Sequence, residues 1–423
     1  MTVQAYDAHC CIVGGGPAGM VLALLLARAG VPVALLEEHG DFERDFRGDT
    51  IHPSTMELMD ELGLADRLLE IPHTKIDSLT FLAPSGPIRL ASLAGLATKY
   101  PYITFMPQAR FLDFLAAEGA RYPTFRLVMG ANVQGLIEEP LERSGMTSER
   151  GGGTVVRGVQ YRAKDGLHEL RAPLVIGADG RFSRVRRLAG FEPVKTSPPM
   201  DVLWFRLPRR SGDAEDALGR IANGHLIVIL NRGDEWQIAY VIAKGGYKAI
   251  HDAGLPAFRR AIAEIVPELA DRVDALQDWK QAALLSVESS RVPCWYKSGL
   301  LVIGDAAHVM SPVGGVGINY AIQDAIVAAN VLAGPLREGR LRLGDLAAVQ
   351  RRREWPTRAI QALQAQIQRL VIERALTSAE ALEPPAFMRL PVLRSIPPRV
   401  VGFGIWPVHL APELRTPALR PTR

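Results

Sequence analysis

One run near the start of the chain, Gly14-Gly15-Gly16-Pro17-Ala18-Gly19, restricts the available folds more than any other feature. It lies between a short apolar run, His9-Cys10-Cys11-Ile12-Val13, and a stretch of good helix formers, Met20 to Ala29, that stops at Gly30. Val33-Ala34-Leu35-Leu36 then reads as a second buried strand ending at Glu37. Strand, turn, helix and strand form a βαβ unit, and a helical crossover of this kind joins parallel strands. Gly14, Gly16 and Gly19 have GxGxxG spacing, with Pro17 and Ala18 completing the turn. Such glycines let backbone N–H groups approach a pyrophosphate at the helix N-terminus, while an acid ending the next strand accepts hydrogen bonds from ribose hydroxyls. The unit predicts dinucleotide binding and leaves FAD and NAD both open. Glu38 faces the opposite way along the strand; it reads as a solvated neighbour and is kept as a secondary cofactor candidate.

Composition removes several other classes. A chain of 423 residues has room for about two or three domains. Its three cysteines, Cys10, Cys11 and Cys294, form no CxxC pair, so neither a disulfide framework nor a clustered zinc site is expected, and a reducing, cytoplasmic setting fits. The formal charge of +4 is too small at this length to indicate nucleic-acid binding. The apolar run Met20 to Ala27 is shorter than the ~20 residues a bilayer span needs, and Asp7 without any Lys or Arg before it argues against a signal peptide. HExxH, P-loop and GxSxG patterns are absent.

Further along, Ser54 to Leu62 reads as a helix with Ser54 as cap and Glu57 in capping-box position. Lys75 to Tyr100 reads as strand and turn, and Phe111 to Gly119 as helix. Three strand-like runs follow, Asn132 to Glu138, Thr154 to Tyr161 and Glu169 to Ile176. The polar, Gly-rich stretch Arg143 to Gly153 is expected to be a mobile hairpin loop. From Glu192 to Ser286 the pattern alternates: Leu203, Phe205 and Leu207 share one face of a strand, and Trp236, Ile238, Tyr240 and Ile242 share one face of another, as antiparallel strands of a second domain. Leu300 to Ile303 is a short buried strand, followed by a glycine-rich turn and a helix from about Tyr320 to Leu332. A tail helix is expected after Trp355, reaching Leu376, then a Pro-rich segment.

Two distant segments decide between the cofactors: Gly177-Ala178-Asp179-Gly180 with Ser183, Arg184 and Arg186 after it, and Gly304-Asp305-Ala306-Ala307-His308 continuing through Pro312 to Asn319. Together with GxGxxG, in this order, they resemble the class A flavoprotein monooxygenases, the aromatic hydroxylase family that includes p-hydroxybenzoate hydroxylase. The resemblance runs from about residue 8 to residue 335, the middle domain matching only in placement and pattern. It implies an α/β fold: a Rossmann-like FAD-binding domain made of residues 1–76, 101–190 and 287–358, an antiparallel-sheet substrate domain made of 77–100 and 191–286, and a C-terminal helical tail, 359–423.

The resemblance carries roles onto particular residues. Glu37 falls on the ribose-binding acid, Arg47 on an arginine along the flavin nucleotide, and Gln108 on a cofactor-contacting position, though the family has Leu where this chain has Phe111. Val133 falls on a position whose backbone approaches adenine, and Asp179 and Gly180 on the DG motif. Gly304 and Asp305 fall on the GD motif, whose acid bonds the ribityl chain. The Pro312 carbonyl would lie near the flavin ring, and N–H groups from Gly315 and Gly317 to Ile318 and Asn319 would face its pyrimidine edge, where a helix N-terminus stabilises developing negative charge. Trp204, Trp236 and Tyr240 read more as core than as substrate box, and are kept as pocket candidates because their domain is the one that, by resemblance, covers the flavin ring. Arg181, Arg184, Arg186 and Arg187 are candidates for the phosphates of a transient NADPH or NADH, with a solvated helix face as an equal alternative. Asp179 could instead cap a turn, and His52 and His308 read as structural.

By resemblance, NAD(P)H reduces the flavin, dioxygen adds to the reduced ring, and the hydroperoxide hydroxylates an aromatic or polyketide-like molecule; no protein nucleophile or metal is required. A halogenase of the same fold is disfavoured because WxWxIP is missing. An FAD-dependent reductase of an isoprenoid or other apolar substrate and a non-catalytic escort protein are the remaining alternatives. The tail, including Ile360 to Leu376 and Phe387 to His409, is expected to pack across the cofactor domain rather than on a membrane or in a dimer; monomer and homodimer both stay open.

Overall fold

The computed structural model describes residues 8–43, 49–83, 86–140, 153–213, 218–222, 224–377 and 396–418. Arg47, most of Arg143 to Gly153, and Phe387 to Arg394 lie outside the described residues. The apolar runs at the start of the chain become the middle of a six-stranded sheet, ordered Tyr296–Lys297, Leu300–Val302, Leu174–Gly177, Cys10–Val13, Val33–Glu37, Phe125–Met129. All neighbours are parallel except the outermost pair, Tyr296–Lys297 with Leu300–Val302. A parallel sheet must be covered on both faces, which is why these strands are uninterrupted apolar runs. The first helix, Pro17–Arg28, is buried almost throughout, packed against the Gly317–Arg337 and Gln108–Gly119 helices. Gly317–Arg337 is long and apolar enough to cross a bilayer, yet most of it is buried, between the first helix and the tail helix Leu343–Ile367.

The second sheet has seven strands, ordered Ala283–Leu285, Met200–Pro208, Glu235–Ala243, His225–Asn231, Leu218–Ala222, Ser78–Ala83, Gly86–Ser92. Strands from 77–100 and 191–286 thus share one sheet, antiparallel apart from Ser78–Ala83 beside Leu218–Ala222. The two alternating sets form one face. Leu203, Phe205 and Leu207 join Trp236, Ile238, Tyr240 and Ile242 in a core closed by Phe258, Ile262 and Ile265 of the Leu255–Ile265 helix. The opposite face presents Val202, Leu226, Ala239 and Val241, with Trp204 and Val228 partly buried beside them. It meets Ile372 and Ala375 of the tail and Val313 of the cofactor domain.

Several sequence expectations need correction. The Ser54 helix starts at Pro53, with His52 at the cap position and no side-chain cap. Proline at the first helical position removes one N–H that would have needed a cap, and Glu57 accepts from Thr98 Oγ1 (2.7 Å) instead. The run Glu169 to Ile176 is split at Ala172-Pro173: Gly166–Arg171 belongs to a three-stranded antiparallel sheet with Asn132–Pro140 and Thr154–Ala163, and Leu174–Gly177 to the parallel sheet. Proline has no N–H for a ladder, so the strand breaks there. The tail helix begins well before Trp355 and runs unbroken from Leu343 through Pro356 and across residue 358, because Leu346, Val349, Arg353 and Ile360 anchor it on both sides of the proline. A π-helical turn, Gln368–Ile372, and Glu373–Thr377 complete it.

Charge is used sparingly inside. Asp324, on the Gly317–Arg337 helix, is fully buried and accepts from the Gly304 N–H (2.9 Å), His308 Nε2 (2.6 Å) and Arg353 Nε (2.7 Å). Burial alone would raise this carboxyl, but His308 and Arg353 outweigh it and hold it below the usual carboxylate range. His308 is therefore the packed, hydrogen-bonded core residue expected from the sequence. Removing one partner of such a cluster strands a buried charge. Asp324→Ala is expected to lower unfolding stability by about 3–5 kcal/mol, read as a shift of the urea midpoint; an unchanged midpoint would show that the cluster contributes nothing.

Candidate active site

Four parallel strands deliver the motif residues to one edge of the main sheet, because their carboxyl ends all point the same way. Across that edge come Glu37, the Gly14–Gly19 turn, Asp179, and Gly304 with Asp305. Ligands of open α/β sheets bind outside such an edge.

The glycines are needed for specific contacts. Gly14 has φ +104°, and a Cβ there would lie 2.5 Å from the Ala178 carbonyl oxygen; one on Gly19 would lie 2.0 Å from the Gly14 oxygen. Gly16, at the N-cap of the first helix, has nothing within 4 Å of an added Cβ, so its open side faces space for a ligand. The Gly15 N–H donates to Glu37 Oε2 (2.8 Å), and Glu37 Oε1 accepts from the His39 N–H (3.0 Å) and faces His39 Nδ1 (2.8 Å). Glu37 and the glycine turn are thus one tied unit. The first helical turn carries no acidic side chain, leaving its N–H groups for an anion.

Glu38 is exposed and bonds Asn132 Nδ2. Arg184 Nη1 reaches Asn132 Oδ1 (3.0 Å), the Val133 carbonyl (3.1 Å) and Gln134 Oε1 (3.0 Å), so Glu38, Val133 and Arg184 meet at one end of the edge. Asp179 behaves as the turn cap that competed with its cofactor reading: it accepts from Ser183 Oγ and from the N–H groups of Arg184 (2.7 Å) and Val185 (3.0 Å). Burial pushes its carboxyl up against the pull of these bonds. Arg186 departs from the phosphate-binding expectation, being buried and donating to the Ala306 (3.0 Å) and Arg181 (2.8 Å) carbonyls. It ties the DG turn to the GD turn instead. Gln108 opens its helix with its N–H on Asp49 Oδ1 (3.0 Å), and Asp49 pairs with Arg232 (2.9 Å) in the turn after the His225–Asn231 strand of the second sheet. Burial pushes the Asp49 carboxyl up, with Arg232 opposing.

Past Glu37 and Asp305 the same edge leads to the Pro312–Asn319 segment. Gly314 (φ +79°) and Gly315 (φ +62°) form a tight turn there, and Gly317, Ile318 and Asn319 begin the long helix. Asn319 Oδ1 accepts from the His52 N–H (3.1 Å) and Thr55 Oγ1 (2.8 Å), while its Nδ2 is buried without a partner. His52 is also fully buried, and its Nδ1 bonds the Val401 carbonyl (2.6 Å), a partner invisible in the sequence. Its Nε2 has no partner. Open space at Gly16, at one helix N-terminus, and the partly exposed backbone of Gly315, Gly317 and Ile318, at another, fit FAD, with phosphates at one end and a ring bearing carbonyl and N–H groups at the other.

Sequence reasoning missed a row of glutamines. Gln361, Gln364 and Gln368 lie three and four residues apart on the tail helix. Their amides donate to the carbonyls of Ser290 (3.0 Å) and Val309 (3.1 Å), to those of Ser311 (2.9 Å) and Val313 (2.8 Å), and to Ser311 Oγ. They hold the segment leading into Pro312. Three buried glutamines at helical spacing are the signal that could have revealed them. Of the pocket candidates, Trp204 is on the sheet face that meets Val313. Trp236 and Tyr240 are on the other face and are core rather than pocket: Trp236 Nε1 donates to Asp213 (3.0 Å), and Tyr240 Oη bonds His225 (3.0 Å) beneath Phe258.

A model of the FAD binding domain family matches residues 7–362. The chain is 34% identical over 397 residues to 6-methylpretetramide 4-monooxygenase of Streptomyces rimosus, covering 92% of this chain and 91% of that protein. It is 26% identical over 351 residues to protoasukamycin 4-monooxygenase of Streptomyces nodosus subsp. asukaensis, covering 80% and 82%. In fold it is similar to p-nitrophenol 4-monooxygenase PnpA from Pseudomonas putida DLL-E4, with TM-score 0.70, 18% identity, and 95% and 94% of the two chains covered.

Two outcomes are expected. Gly16→Ala should leave thermal unfolding of the apoprotein unchanged but weaken FAD binding by about 10- to 100-fold, since the methyl group intrudes only on ligand space; fluorescence titration measures this. Burial pushes the His52 pKa from 6.5 down to about 4, and Val401, Asn319, Thr55 and Gly315 around it carry no charge. Between those values the unfolded chain takes up a proton that the folded ring refuses. Its contribution is therefore complete above pH 6.5 and is lost as pH falls toward 4, by at most roughly 1.4 kcal/mol per pH unit. Urea midpoints against pH should show a shallower slope in this window for His52→Gln than for the unmodified protein.

Proposed function

Because the chain belongs to the FAD-binding class A aromatic monooxygenases, we propose that it is a cytoplasmic enzyme hydroxylating a fused, polyketide-derived aromatic ring. The observation that carries this reading is the likeness to 6-methylpretetramide 4-monooxygenase over nearly the whole of both chains. The apolar sheet face of Val202, Leu226, Ala239 and Val241 is packed under Ile372 and Ala375 of the tail, and the partly buried Trp204, Val228 and Val313 at its margin are where a flat polycyclic ring would meet it. Gln237 alternates onto the same side as Ala239 and Val241 and is buried, with its Oε1 lacking a partner; that oxygen is suited to accept from a phenolic hydroxyl. The substrate named for the Streptomyces rimosus relative, 6-methylpretetramide, supports the same class.

Bound FAD supplies the redox chemistry, taking two electrons from NAD(P)H and directing one atom of dioxygen to an electron-rich carbon and the other to water. The residues of the chain bind and orient. Gly14 to Gly19 and the first helix hold the pyrophosphate, Glu37 takes the ribose, and Gln108, Val133 and Asp305 lie along the rest of the nucleotide. Pro312 and the Gly315–Asn319 segment hold the ring edge, where the long helix opposes negative charge with its N-terminus. The apolar sheet face keeps water from the reacting centre.

The test is anaerobic stopped-flow reduction of the bound flavin by NADPH and by NADH, with and without polycyclic phenols, followed by turnover under ¹⁸O₂. A polycyclic phenol should accelerate bleaching and yield a product carrying one ¹⁸O atom. A protein that retains no flavin, a flavin that neither nucleotide reduces, or a product without the label would sink the proposal. With that substrate, Trp204→Ala should raise KM with little change in stability. Trp236→Ala should cost about 3–5 kcal/mol in urea unfolding and leave KM alone.

A further inference from the structure

The carbonyl groups of the turn before the long helix are taken up from within the protein. Gln364, on the tail helix and only 3% exposed, gives both hydrogens of its amide to backbone carbonyls on either side of Pro312, those of Ser311 (2.9 Å) and Val313 (2.8 Å). The Pro312 carbonyl accepts from the Gly315 N–H (3.0 Å), the Gly315 carbonyl from Thr50 Oγ1 (3.2 Å), and the Val316 carbonyl from the Tyr320 N–H (3.0 Å). The N–H groups of Gly317, Ile318 and Asn319 differ, because the first turn of a helix has no acceptors of its own for them. Among the described residues no side chain caps that end and no acid stands in its first turn, and Gly317 and Ile318 are partly exposed. The segment thus commits its acceptors to the protein and keeps donors free. Gln364 has a cost as well as a yield: its Oε1 is buried without a partner, an exception among buried polar atoms that packing alone does not explain.

We propose that Gln364 is a positioning residue for the flavin: by holding the Ser311 and Val313 carbonyls toward the tail helix, it keeps their negative ends from the ring edge and leaves that edge to the helix N–H groups. The assignment rests on the FAD reading, in which this segment holds the edge where negative charge develops. The oxidised ring carries no net charge, so the orientation of two carbonyls matters little to it. The reduced ring is anionic, and a carbonyl oxygen swung toward it opposes the charge that the helix N-terminus stabilises. Gln364 therefore acts on the difference between the two redox states rather than on cofactor binding as such. Gln361 provides the contrast. Its amide makes the same kind of paired bond, to the Ser290 (3.0 Å) and Val309 (3.1 Å) carbonyls, which lie before the turn.

The midpoint potential of the bound flavin separates positioning from support. Holoenzyme is titrated spectroelectrochemically, with urea unfolding measured alongside. Gln364→Met keeps the length of the side chain and removes both donors; Gln361→Met removes an equal pair away from the turn. Gln364→Met should hold reduced flavin, relative to oxidised flavin, about three- to tenfold less well, a potential about 15–30 mV lower for two electrons. Gln361→Met should lower the urea midpoint as much as Gln364→Met and leave the potential unchanged. An unchanged potential in Gln364→Met, or an equal fall in Gln361→Met, overturns the assignment and leaves Gln364 as a clamp of the fold. If Gln364→Met does not fold, Gln364→Glu, which keeps the shape and offers at most one hydrogen, is read in the same way; failure of both to fold makes the residue structural and also overturns the assignment. Unmodified protein that retains no flavin overturns the FAD reading itself, before any variant is compared.

Discussion

The organisation of this protein depends on a close backbone contact that tolerates no side chain. Gly14 passes so near Ala178 and Asp179, and Gly19 so near the Gly14 carbonyl, that a single methyl group at either place would force the loops apart. That contact brings the N-terminus of the first helix to the strand edge and sets the DG turn against it. From there Arg186 reaches the Asp305 and Ala306 carbonyls, and Asp324 takes the Gly304 N–H, so the GD turn is positioned from two sides. Each motif is held by its neighbours and the site is preorganised as a whole.

The parts legible in the sequence are those written by local rules. The βαβ unit reads directly because buried parallel strands, a glycine turn and a helix of Ala, Leu and Met each have a local signature. The alternation of the second domain also reads correctly, since Leu203, Phe205 and Leu207 do share a face with Trp236 and Tyr240. Which face meets the cofactor is not written there, because both faces of that sheet are apolar. One is covered by helices and the other by the tail and Val313. Trp236 and Tyr240 are core for that reason, while Trp204 lies on the opposite face, beside Val313.

The remainder is long-range. Nothing near Asp324 announces Arg353, and nothing near His52 announces Val401. Pro356 reads as the point before which a helix cannot run, yet buried side chains on both sides of it carry the helix through. Local signals gave way here to burial, as they do wherever tertiary contacts outweigh a residue or two of propensity.

The glutamine row and the Val401 carbonyl have a further consequence for the order in which the protein matures. Both clamp the ring side of the site, and both belong to stretches synthesised after every residue they clamp. Until the tail helix docks, the backbone carbonyls of Ser290, Val309, Ser311 and Val313 lack the amides that hold them, so the turn before the long helix is the last part of the edge to settle.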